Sequence, residues 1–376
     1  MADYEVSKVM WMAIVVALAA SIFIIAKPEI KSLAEGTFDN IKHLVDGTNT
    51  ATDPPVENPS TNPNDYDTTA NFAENGTFAM KEDGTAVLWA TDPDKPVVIK
   101  DWVTTYGEGE GTPSGKTVNN EKLTSLTIAS PVKVEGNAMM LFSSNPNLKT
   151  INGLDKVDVS AVTSMNMLFA ANNKLKALDV STWDTSNVTD FSVAFGVGLQ
   201  SDSSAPHSEL TSLKLGNMNT SKGTKFGSMF NGLTNLQNFT AWQKLDYSHA
   251  QGDLMGMGGF LSNTTITDVD LTNVKLPKEL HAQSMFAIMP NVKSIKFGQP
   301  IKFTSLSGAF IANPNLEVLD LSGTDVSAVS KSDANTMLSE NKLKTFNVPY
   351  TDAVSEGLAM NRHFDKALLD AYNAQK

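Results

Sequence analysis

The sequence predicts an α/β solenoid of short parallel strands with irregular or short helical returns. A small N-terminal β cap and a C-terminal helix close it, and an N-terminal transmembrane helix precedes it. Three observations predict this. An aromatic-led segment recurs through Asn119 to Tyr350, eighteen uncharged residues run from Val9 to Ala26, and a Thr/Asn/Asp/Pro-rich stretch separates the two. With 376 residues, the chain is long enough for two or three domains and a large core.

Val9 to Ala26 reads VMWMAIVVALAASIFIIA, with Ser21 its one weakly polar side chain. As a helix it spans ~27 Å, close to the ~30 Å of a bilayer core. Lys8 and Lys27 bracket it, and Trp11 stands near one end, where an interfacial indole is favoured. Trp11, Ile14, Ile22 and Phe23 are the expected membrane-anchor or assembly residues. Ala17-Leu18-Ala19 offers a small-residue cleavage pattern, but the apolar run continues past it, so the helix is expected to be retained. The few flanking lysines do not set its orientation.

Beyond Pro28, which suits a first helical turn, Ile30, Leu33, Phe38, Ile41, Leu44 and Val45 recur at helical spacing up to Gly47. Residues 1–46 therefore read as an apolar helix followed by an amphipathic stalk. That shape resembles the N-terminal helix of pilin-like subunits, and Glu5 invites the same comparison. It keeps open self-association through residues 1–46 into a surface filament.

Residues 47–69 have almost no large apolar side chain and read as a disordered linker that cannot offset its ordering entropy. From Asn71 the character changes. Thr77 to Met80 and Thr85 to Ala90 are β-rich runs around Lys81-Glu82-Asp83-Gly84, and Asp-Gly between such runs signals a hairpin. With Val97 to Ile99, these runs make residues 70–118 a β cap for the first core layer.

Residues 119–350 carry the repeats: LFSSNPNLKTI (141–151), LFAANNKLKAL (168–178), MFNGLTNLQNF (229–239), FLSNTTITDVDL (260–271), MFAIMPNVKSI (285–295), AFIANPNLEVL (309–319) and MLSENKLKTF (337–346). The anchoring residues Phe142, Phe169, Phe195, Phe230, Phe260, Phe286, Phe310 and Leu338 are separated by 27, 26, 35, 30, 26, 24 and 28 positions. The longest interval holds the polar insertion at 201–209. A period near 26 lies in the leucine-rich-repeat range. In this reading Leu175, Leu178 and Val180 point inward from a short strand, the Phe fills the layer between strands, and the Asn before the strand satisfies backbone groups at the turn. One unit cannot close its own core, so neighbours must stack. Residues 351–376, with Leu358, Met360, Phe364, Ala367, Leu368, Ala371 and Tyr372, read as one amphipathic capping helix.

LDVSTWDTSNVTDFSVAF (178–195), the looser LTSLKLGNMNTSKGTKFGSMF (210–230), and the closing segments SMNMLF, KFGSMF and HAQSMF resemble the repeat of BspA-like leucine-rich-repeat bacterial surface proteins. The resemblance implies a bacterial cell-surface protein used for adhesion or host binding; with the apolar helix as a single-pass anchor, the repeat domain is expected outside the cell, with an unidentified protein or glycan as its ligand. Trp183 and Trp242 are the candidate ligand contacts, on the expectation that they are exposed, with a structural role also open for Trp183, which occupies a repeat position. No wall-sorting LPxTG ends the chain, so the N-terminal helix is expected to anchor it.

Chemistry-bearing patterns are sparse. The chain has no cysteine, which excludes disulfides and thiolate sites, and its five histidines form no close ligand pair. The net charge of −12 without a basic stripe argues against nucleic acid. Gly115-Lys116-Thr117 evokes a phosphate loop, but Glu110 stands where its first Gly belongs. The expectation is a non-catalytic protein without cofactor or metal.

Overall fold

The computed structural model describes residues 59–101, 121–197, 208–236 and 239–376. The apolar helix, the stalk, and the anchor residues Trp11, Ile14, Ile22 and Phe23 lie outside the described residues, as do residues 102–120. Among the described residues, no helix is long and apolar enough to cross a membrane.

Order begins earlier than the linker reading expects. Pro63–Asp65 form a 3-10 turn in which the Asn62 side chain accepts from the Asn64 amide. Tyr66 then packs on Trp89 with ring centroids 5.8 Å apart, and Lys81 lies over the Tyr66 ring. A buried indole on the neighbouring sheet therefore organises the end of this polar stretch.

Strands β1 (Thr68–Phe72), β2 (Gly76–Met80) and β3 (Thr85–Ala90) are antiparallel neighbours. Gly84, at φ +86°, supplies the left-handed residue that the β2–β3 turn requires. The next strands alternate between two ladders. They are β4 (Val97–Lys100), β5 (Ser125–Ile128), β6 (Val132–Asn137), β7 (Thr150–Asn152) and β8 (Val157–Ser164). β5 and β7 continue from β3 in parallel, giving the order β1-β2-β3-β5-β7, while β4, β6 and β8 form a separate parallel sheet. The β cap is thus not a separate layer. Its last hairpin strand is the first strand of the repeat ladder.

Later units repeat the first ladder's pairing in two further parallel sheets, β9 (Ala177–Asp179) with β10 (Ser212–Lys214), and β11 (Asp268–Asp270), β13 (Ser294–Lys296), β15 (Val318–Asp320) and β16 (Thr345–Asn347) in that order. β12 (Glu279–His281) and β14 (Lys302–Ser305) form a separate parallel pair. Burial follows the two-residue period. Leu178 and Val180 are buried around exposed Asp179, and Val269 and Leu271 around exposed Asp270.

The recurring aromatics pack in two runs through this core, Phe142 to Phe260 and Phe286 to Phe310. Phe142 stacks on Phe169 at 5.4 Å, Phe169 on Phe195 at 6.0 Å, and Phe195 on Phe230 at 5.8 Å. Phe260 meets Phe230 edge-on at 5.4 Å, and Phe286 stacks on Phe310 at 6.1 Å. Buried asparagines beside these runs bind backbone that no strand serves. Asn313 donates from Nδ2 to the carbonyls of Phe286 (2.8 Å) and Phe310 (3.1 Å), and its Oδ1 accepts from the Met289 amide at 2.8 Å. Asn145 serves the Phe142 and Ser143 carbonyls in the same way, at 3.0 and 2.8 Å.

Helices are short: α1 (Leu254–Met257), α2 (Lys331–Thr336), α3 (Asp352–Met360) and α4 (Lys366–Asn373). The single C-terminal helix expected from the apolar pattern is two helices, α3 and α4. Asn361 ends the first in an extended conformation, with its side chain donating to the buried Leu338 carbonyl, and Asp365 caps the second by accepting from the Leu368 amide. Tyr372 of α4 packs on Phe346 of β16 at 5.6 Å, which places the pair against the last strand.

Candidate functional site

The strands of the first ladder do not pair between β7 and β9 or between β10 and β11, and the second of these interruptions is local in origin. Leu236 and Phe239 match the Leu210 and Leu213 positions of the preceding unit, so a strand would be centred near Phe239. Instead Thr240 adopts helical backbone (φ −113°, ψ −5°), and Ala241–Lys244 form a 3-10 turn. The turn carries Trp242 inward to meet Phe260 edge-on at 6.3 Å, and buried Tyr247 donates its hydroxyl to the Trp242 carbonyl at 2.7 Å. Burial pushes the Tyr247 phenol well above its ordinary value, so it remains a neutral donor.

After β9, β11, β13 and β15 a backbone amide donates to the next unit. Val180 donates to Lys214 O at 3.0 Å, Leu271 to Lys296 O at 2.8 Å and Phe297 to Asp320 O at 3.0 Å. At the interruption Ala241 holds that position and is drawn into the turn. The bond to Asp270 O is made by the Gln243 side chain, at 2.9 Å.

Beside this substitution lies a cleft of about 410 Å³. Phe239, Trp242 and Ile266 form its apolar wall. Its polar groups come from three consecutive units: Thr234, Thr240 and Gln243; then Thr265, Thr267 and Asp268; then Asn291. Among the described residues no Lys, Arg or His lines it. The Oγ1 atom of Thr265 is buried without a hydrogen-bond partner, an uncommon condition for a buried hydroxyl.

Asn291 departs from the behaviour of its repeat position, five residues after the aromatic. The amides at that position in Asn147, Asn235 and Asn315 reach back to the preceding unit, to the carbonyls of Glu121 (2.6 Å), Ser208 (2.7 Å) and Pro290 (2.8 Å). Thr265 and Asn291 hold the same position in two successive units. Neither makes a side-chain hydrogen bond to the described residues, and both line the cleft.

The two tryptophans expected as exposed contacts are interior. Trp183 stacks on Phe169 at 6.0 Å and donates from Nε1 to the Leu154 carbonyl at 2.8 Å. It is 5% exposed and Trp242 1%. An indole has a large apolar body and one donor, and the core here supplies a ring to stack on and the Leu154 carbonyl, which also accepts from the Val157 amide. Trp242 belongs to the cleft wall, but neither residue presents a ring to solvent. Among the described residues no group of three His, Cys, Asp or Glu side chains is placed to hold a metal ion.

No curated protein and no solved structure matches this chain. A family described as "Mycoplasma protein of unknown function, DUF285" does match, over residues 137–264. That span begins at the end of β6, takes in the aromatic run from Phe142 to Phe260, and stops at the Thr240 side of the cleft.

Proposed function

We propose that this chain is a membrane-anchored cell-surface recognition protein. It has no catalytic role, and an α/β leucine-rich-repeat solenoid presents one cleft to an external ligand. The observation that carries the reading is the cleft itself. At the ladder interruption the polar residues Thr234, Thr240, Gln243, Thr265, Thr267, Asp268 and Asn291 of three consecutive units line one cavity. At about 410 Å³ the cavity falls in the roughly 300–1,000 Å³ range of small-ligand sites. The uncharged run from Val9 to Ala26 supports anchoring, and the parallel pairing of strands from successive repeats supports the solenoid.

Mechanical shearing of intact cells without detergent tests the anchoring arm. Retention of full-length protein with the membrane fraction is expected. Release of chains still containing Val9 to Ala26 in high-molecular-weight material would replace this reading with a filament subunit assembled through residues 1–46.

A further inference from the structure

We infer that a second copy of this chain docks on an uncharged band formed by the aromatic-bearing segments of successive units, giving a two-fold symmetric pair. The inference does not depend on the cleft or its ligand.

Outside the named strands, a further backbone ladder runs through eight units. Met140 donates its amide to the Asn166 carbonyl, Met167 to Ser192, Val193 to Gly227 and Ser228 to Gly258. Gly259 then donates to Gln283, Ser284 to Ser307 and Phe310 to Met337, and all seven bonds measure 2.8 to 3.0 Å. The first six donors lie at φ +52° to +63°. Residues 138–144, 165–171, 191–197, 226–232, 254–263, 282–288, 305–312 and 335–339 carry this ladder. They contain no Asp, Glu, Lys or Arg, although those types make up 19% of the chain.

The band is also where large apolar side chains meet solvent. Of the four exposed ones among the described residues, Leu254 (47%), Met255 (44%) and Ile288 (51%) lie on it, and Met140, Met167 and Val193 beside them are half-buried. Met255 belongs to the ladder itself, its carbonyl accepting from the Phe226 and Gly227 amides. Ile288 is disfavoured twice in an isolated chain. Its side chain faces water, and its φ of +57° is a left-handed conformation that β-branched residues avoid. Asn263 holds the same ladder position one unit earlier and Ala312 one unit later, so the fold does not require isoleucine there.

The net charge of −12 makes copies repel. A two-fold contact sets a patch against itself, so a patch of one dominant sign opposes itself. The band carries no charge to oppose, and its exposed Met and aliphatic groups match the centres of protein interfaces, where charge is depleted and Met enriched. Eight units at ~4.8 Å are about 38 Å long, and the seven residues from Ala138 to Ser144 span at most about 23 Å across. That outline matches the ~800 Å² per partner of a standard interface.

The test measures the mass of full-length protein in mild detergent by sedimentation over a concentration series. Two chains per particle are expected for the parent and for Met360→Glu, whose side chain is 60% exposed but lies off the band. Ile288→Asp and Met255→Glu are each expected to weaken pairing by at least about a hundredfold, because each pair would bury two unpaired carboxylates. Aspartate tolerates the left-handed conformation, so Ile288→Asp is expected to keep or raise the thermal midpoint while losing the pair. Single chains at every concentration overturn the inference and leave the band to lipid or to another protein. Pairing that survives both band substitutions also overturns it, and its loss on Ile14→Asp would then assign association to residues 1–46.

Discussion

The Gln243 side chain donates from Nε2 to the carbonyl oxygen of Asp270 at 2.9 Å, standing in for a backbone amide that the neighbouring units supply. One side chain thus joins two parts of a parallel ladder across a unit that lacks its strand. Gln243→Ala is expected to cost about 0.5–1.5 kcal/mol, the net worth of one exposed to half-buried hydrogen bond. Gln243→Glu is expected to cost more, because it sets a carboxylate against a carbonyl. Thermal unfolding of the two variants checks the order, and equal midpoints to the parent would contradict it.

Asn313 is fully buried and serves the Phe286 and Phe310 carbonyls and the Met289 amide together. Asn313→Ala leaves three backbone groups without partners and is expected to destabilise by about 3 kcal/mol or more. Asn315→Ala, two residues on but exposed, is expected to cost about 0.5 kcal/mol. Chemical denaturation of both separates these outcomes.

Trp183→Ala and Trp242→Ala are each expected to lose about 3–5 kcal/mol, as for truncation of a buried aromatic. Trp183→Phe keeps the stack on Phe169 and loses only the bond to Leu154 O, so a milder loss is expected. A Trp183→Ala variant with an unchanged melting temperature but lost binding would restore that residue as a surface contact.

Stability is expected to depend on pH at both extremes. The Asp179 carboxylate is held below its ordinary value by the Ser181 hydroxyl, Asp352 by Lys376, and Glu317 by Lys344. A lowered folded-state pKa contributes stability that is present above the unfolded values near 4 and is lost as pH falls through the folded ones. The melting temperature is therefore expected to hold from neutrality down to about pH 5 and to fall below about pH 4. On the alkaline side, the raised phenol of Tyr247 contributes stability present below about pH 10 and lost as pH climbs further. Tyr247→Phe is expected to lose about 1 kcal/mol at neutral pH, the worth of the bond to Trp242 O, yet to flatten the alkaline decline. An alkaline limb identical in the variant would contradict the assignment to Tyr247.

The features legible in the sequence are those set by near neighbours or by the repeat period. Asp83-Gly84 marks the β2–β3 turn because a left-handed residue is needed there, and the spacing of the aromatics anticipates their stacking. The pairing of β3 with β5 was not legible, since it joins residues some forty positions apart across a boundary drawn from composition. The apolar pattern of the C-terminus ran straight through Asn361 and Asp365, whose capping geometry divides it. Those two residue types were the available signal. The direction of Trp183 and Trp242 was not readable either, because an indole suits both a core and a rim. The cleft arises from a backbone change at Thr240, and Asn291 carries the same letter as the engaged Asn315. Only a repeat-by-repeat comparison of bonding partners separates them.

Proteolytic shaving of intact cells, followed by mass spectrometry of the released and retained peptides, tests the central claim of surface display most directly. The account predicts that external protease releases peptides from residues 59–376, while a fragment containing Val9 to Ala26 stays with the membrane. Full protection of the repeats in intact cells, with digestion only after lysis, would contradict it.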